Sequence, residues 1–86
     1  MQQPTQVVLV EYQLPPEAEV EPMARRIDRC LEARGGRWMR SYIAPDGRHA
    51  VCEFQAPDAE SVREAFRLAG QPIERAWVAS LYWREE

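Results

Sequence analysis

"YIAPDGRHAVCEF", residues 42–54, decides the fold, because the pairing of its two arms sets which side chains share a face. Pro45-Asp46-Gly47 is a turn signal between β-branched and aromatic residues, so the stretch reads as a hairpin. Outward from the turn, "RWMRSYIA" and "RHAVCEFQ" are its strands. A type I turn with glycine in a bulge would oppose Ala44 to Arg48 and mix polar with apolar groups on both faces. A two- or four-residue loop shifts the pairing by one. Met39, Ser41 and Ile43 then meet Ala50, Cys52 and Phe54 on a coherent core face. Trp38, Arg40 and Tyr42 join His49, Val51 and Glu53 on the other, with Arg40 opposite Glu53 in a mildly favourable charge pair. A one-residue slip exchanges the two faces, so burial outweighs turn statistics and the second register is expected.

The flanks complete the pattern. "TQVVLVEYQL" (Thr5–Leu14) alternates as a strand, with Val8, Val10 and Tyr12 on one side and Val7, Leu9 and Glu11 on the other. Pro15-Pro16 ends it. Pro22 is a good first helical residue, and Met23, Ala24, Ile27, Cys30 and Leu31 form one helical stripe that Gly35-Gly36 stops. In "PDAESVREAFRLAG", Asp58 is the expected N-cap, Val62, Ala65, Phe66 and Ala69 the buried stripe, and Gly70 the C-terminal cap. "IERAWVASLYW" reads as a closing strand, with Trp77, Tyr82 and Trp83 divided between core and dimer contact. The order β-α-β-β-α-β is the split βαβ, or ferredoxin-like, pattern: an α+β fold with a four-stranded antiparallel sheet and two helices on one face. Residues 1–86 are read as one such domain. Its second sheet face is open to water or to another subunit.

Composition narrows the function classes. The net charge of −3 argues against nonspecific nucleic-acid binding, which needs a cationic surface. All eleven basic residues are Arg, with no Lys and no Asn, which reads as coding bias rather than Arg chemistry. Cys30 and Cys52 match no zinc or redox spacing and read as small buried hydrophobes in a reducing compartment. No apolar run approaches membrane-spanning length, and "MQQPTQ" lacks the features of a signal peptide, so a cytoplasmic protein is expected.

On the chosen register the open face carries Trp38, Arg40, Tyr42, His49 and Glu53, and Glu11 joins them if Val8 and Val10 face the helices. An exposed sheet face with aromatics and charges marks a partner surface or pocket. The ligand-binding candidates are therefore Glu11, Trp38, Arg40, Tyr42 and Glu53, and His49 is the one candidate metal ligand.

The chain also resembles a family of small bacterial ferredoxin-like proteins, domain-of-unknown-function family 4242, often labelled nickel-binding. The resemblance lies in W-x-x-S-Y at Trp38, Ser41 and Tyr42, Cys52 in the next strand, and Ala56-Pro57. It continues through Val62–Glu64, the G-x-P at Gly70–Pro72 and Glu11 late in the first strand. It implies nickel or another divalent metal as a cofactor. Members often look like W-x-H-S-Y, with a second His in the helix before G-x-P. Here Arg40 stands at the first position, and the helix around Ala65-Phe66 has no His. A guanidinium cannot ligate. Held about 5 Å from a divalent ion at an effective dielectric of about 20, it costs roughly 6–7 kcal/mol before any carboxylate compensates.

Three functions follow. The first is a homodimeric binding or interaction protein whose open sheet faces meet and enclose a small pocket, with Arg40 recognising a small anion. The plainer role for Arg40 is a cross-strand ion pair with Glu53. The second is binding of nickel or another divalent metal, as the resembled family implies. The third is an enzyme of the dimeric α+β barrel type, a monooxygenase or isomerase. Glu11, Glu53 or His49 would serve as base there, although no spacing singles one out and no nucleophile triad or phosphate loop is present. Neither a nucleic acid nor a membrane is expected as a partner.

Overall fold

A computed structural model describes residues 5–17 and 19–85. The first four residues of "MQQPTQ" lie outside it. Its elements are β1 (Gln6–Gln13), α1 (Val20–Glu32), β2 (Arg37–Ile43), β3 (His49–Ala56), α2 (Ala59–Ala69) and β4 (Arg75–Ala79). They build the expected ferredoxin-like α+β fold, a four-stranded antiparallel sheet in the order β2-β3-β1-β4. No helix among the described residues is long and apolar enough to cross a membrane.

Alternation in the central strands creates the core. Val8, Val10 and Tyr12 from β1 and Ala50, Cys52, Phe54 and Ala56 from β3 point toward the helices and are buried. They pack on Ile27 and Leu31 of α1 and Val62, Ala65 and Phe66 of α2. Phe66 is the keystone, meeting Tyr12 and Phe54 edge-on at ring-centroid distances of 5.2 and 5.6 Å. The expected stripe of α2 is the observed one. Asp58 Oδ1 accepts from the Ser61 amide at 2.7 Å, and Gly70 takes the left-handed conformation at φ 76° that closes the helix. α1 starts two residues before Pro22, at Val20, with Glu19 as N-cap. Pro22 still falls in the first turn, where a missing N–H leaves no intrahelical bond unmade.

The hairpin has a four-residue loop: Ala44 N–H donates to the His49 carbonyl at 2.9 Å, leaving Pro45–Arg48 outside the ladder. From Ile43↔Ala50 through Ser41↔Cys52 to Arg40↔Glu53 the expected register holds. It then breaks. The rung after Arg40↔Glu53 is Trp38↔Phe54, so Met39 is an extra residue in a β-bulge. The expectation that Trp38 lies on the open face is corrected by this bulge: Trp38 moves to the helical side and packs against the core. Met39, expected opposite Phe54, is displaced from that position. The closing strand is also shorter than read, ending at Ala79, and Tyr82 and Trp83 beyond it are exposed.

Candidate functional site

The sheet face away from the helices carries rows of side chains set by strand register. One row runs Arg40, Glu53, Leu9, Trp77, and the next Tyr42, Val51, Glu11, Arg75. His49 pairs with Gln13 one rung beyond the Glu11 row. Of the expected site residues, Glu11, Arg40, Tyr42, Glu53 and His49 therefore share this face, while Trp38 does not.

They fall into two groups. On the β2 side, Arg40 Nε stands 3.5 Å from Glu53 Oε1, whose side chain is only 11% exposed. On the β1–β4 side, Glu11 is the hub. Its Oε1 accepts from Arg75 Nε at 3.1 Å and Nη2 at 2.8 Å, and its Oε2 lies 2.9 Å from His49 Nε2. The Arg75 guanidinium first, and His49 second, hold the Glu11 carboxyl below the usual carboxylate range against the opposing effect of burial. Glu74 completes the cluster. Its amide donates to the Glu11 carbonyl at 2.8 Å, and one donor atom from each of Glu11, His49 and Glu74 lies within 4.8 Å of the others.

Glu74 escaped the sequence reading because it precedes β4, and its proximity to Glu11 depends on β1–β4 register. The signal available was the pairing itself: with Glu11 opposite Arg75, the residue before Arg75 must sit at the same end of the sheet.

Trp38, Ser41 and Cys52 do a different job. Trp38 Nε1 donates to Ser41 Oγ at 3.0 Å, Ser41 Oγ and Cys52 Sγ are 2.8 Å apart, and Cys52 Sγ and Tyr12 Oη are 3.3 Å apart. Burial pushes the Cys52 thiol up and the Tyr12 phenol up, so both stay neutral hydrogen-bonding groups. Cys30 is free and half-buried. This chain of contacts ties β2 to the core and presents no nucleophile to solvent.

The donor set Glu11, His49 and Glu74 fits a divalent ion by chemistry. One imidazole and two carboxylates mix borderline and hard ligands. Two ligand atoms about 2.1 Å from an ion at right angles lie about 3 Å apart, close to the 2.9 Å between Glu11 Oε2 and His49 Nε2. Arg40 lies one rung and two strands away from Glu11, so its charge does not sit against this corner.

Fold and site together define a small ferredoxin-like protein with a charged, partly apolar open sheet face and a His/Glu donor cluster at one end. Residues 9–78 match the family model described as nickel responsive protein SCO4226-like, and the chain belongs to that family. No curated protein and no solved structure matches it significantly.

Proposed function

We propose that this protein is a nickel-responsive binding protein that takes a divalent ion on Glu11, His49 and Glu74. The observation that carries the reading is the convergence of these three donors within 4.8 Å in a chain whose family is described as nickel responsive. Two carboxylates supply charge, and the single imidazole favours nickel over magnesium. The anion-binding reading of Arg40 has less support, because Arg40 and Arg75 each already face a carboxylate. Calorimetric titration of nickel chloride into protein purified without a metal-affinity tag tests the site. A saturable heat is expected, weakened at least about tenfold in His49→Ala. Absence of saturable heat at micromolar protein removes the reading.

A second reading, homodimerisation through the open sheet face, is favoured by what that face carries. Leu9, Val51 and Trp77 are half-buried there without a covering layer among the described residues, and Tyr42 is exposed beside them. Paired faces would cover these groups and enclose the ion site.

A further inference from the structure

Arg75 occupies an unusual place in the cluster. It follows the donor Glu74, and its guanidinium gives two hydrogen bonds to the one Glu11 oxygen that His49 leaves free. The same guanidinium lies 5.4 Å from the centroid of the Trp77 ring, within cation–π range, while the Arg75 side chain stays 69% exposed. It is thus anchored at the Glu11 carboxylate, has an aromatic face beside it, and is open to water. Nothing buried holds it.

We propose that Arg75 is an internal competitor for the metal site, a resident cation whose hold on one Glu11 oxygen opposes the seating of a divalent ion on the other. The inference rests on the metal reading above and adds the control of that site. With no ion, Arg75 neutralises Glu11. With the ion seated, a guanidinium in its present position would lie next to a second cation sharing its ligand, and that repulsion moves it outward into solvent. Because the ion and the Arg75 guanidinium would share one carboxylate, each weakens the other's hold on it by the same factor. The arginine therefore sets a threshold on the free-ion concentration that loads the site, and ion loading changes the charge pattern of the open sheet face by releasing a guanidinium.

Calorimetric titration of nickel chloride into wild type, Arg75→Gln and Arg75→Lys tests the competition. Arg75 is exposed, so neither variant threatens the fold. Arg75→Gln is expected to bind nickel about tenfold more tightly, equivalent to about 1.4 kcal/mol, and Arg75→Lys to stay near wild type. A second readout needs no variant: in titrations with diamagnetic zinc, the Arg75 Nε–Hε resonance should move from its carboxylate-bonded position toward that of free arginine as the site fills. If wild type and Arg75→Gln bind nickel equally well, or zinc fills the site without moving that resonance, the competitor role fails while the metal site stands. If neither protein binds nickel or zinc, both readings fail together.

Discussion

Ser41 joins two structural layers through a single hydroxyl. Its oxygen accepts the Trp38 indole N–H and touches the Cys52 thiol, which in turn meets the Tyr12 phenol. The Trp38 amide is held as well, donating to Asp28 Oδ1 of α1 at 2.7 Å. In a regular strand, residues 38 and 41 would point to opposite faces, since side chains alternate. The Trp38–Ser41 bond exists only because the bulge at Met39 brings the two to one side. Removing the hydroxyl leaves a half-buried indole donor without its acceptor, a loss of about 1–2 kcal/mol by the usual cost of an orphaned polar group. Ser41→Ala is therefore expected to lower the denaturation midpoint by that amount with an unchanged m-value, and Ser41→Thr, which retains the oxygen, to recover most of it. A fully stable Ser41→Ala protein would show that the indole finds water instead.

At the scale of elements, β2 carries one residue more than its partner needs. The rungs Arg40↔Glu53 and Trp38↔Phe54 are consecutive on β3 but skip Met39 on β2. Deleting Met39 would leave every other rung in place, so the variant should unfold cooperatively, with Trp38 still packed on the core. Deleting Ser41 instead shifts the register of everything before it and puts Arg40 opposite Cys52, which should abolish cooperative unfolding. Circular dichroism and urea melts of the two deletions distinguish the cases. Equal damage from both would mean that the bulge itself is required.

The start of α2 gives a pH-dependent counterpart. The hydrogen bonds from Ser61 hold the Asp58 carboxyl below the usual aspartate range. Its folded pKa thus lies below its unfolded one, near about 3.9. The capping contribution is fully present above that unfolded value and is lost as pH falls through the folded value. The melting-temperature advantage of wild type over Asp58→Ala should be steady from neutral pH to about pH 5 and shrink below about pH 4. An advantage that does not change with pH would mean the carboxylate charge plays no part.

These elements also show what the sequence could reveal. The hairpin register from Arg40 to Ile43 was legible because only one pairing gives a consistent buried face, and the α2 stripe and caps were legible because helical spacing and cap chemistry are local. The bulge was not, because an inserted residue in an edge strand changes no composition and breaks no alternation on the partner strand. Alternation alone puts Trp38 on the open face for that reason. Glu11 and His49 were individually visible, but their contact and the part of Glu74 and Arg75 depend on β1–β3 and β1–β4 pairing between residues 38 and 64 positions apart. No local pattern encodes that proximity.

At the scale of the whole molecule, the protein is a slab of 40 × 39 × 18 Å with a radius of gyration of 12.9 Å, against about 12 Å for a compact chain of this length. Two layers explain the thinness: helices cover one sheet face, and among the described residues no third layer covers the other. That face holds Leu9 and Val51 between the Arg40–Glu53 and Glu11–Arg75 pairs and Trp77 at its β4 edge, so apolar contact and matched charge lie side by side. A second copy meeting it across a two-fold axis would set this patch against itself, each residue facing a different one on the partner, and a small domain gains most from such burial. Sedimentation equilibrium at tens of micromolar should then report a dimer. Trp77→Glu, which replaces the largest apolar group of the proposed contact with a charge, should give a folded monomer. Leu68→Glu, at an exposed leucine of α2, should leave the dimer intact, because the helices lie on the opposite side of the slab. A monomeric wild type would remove the dimer, and a dimer that Leu68→Glu breaks and Trp77→Glu does not would move the association surface away from the sheet.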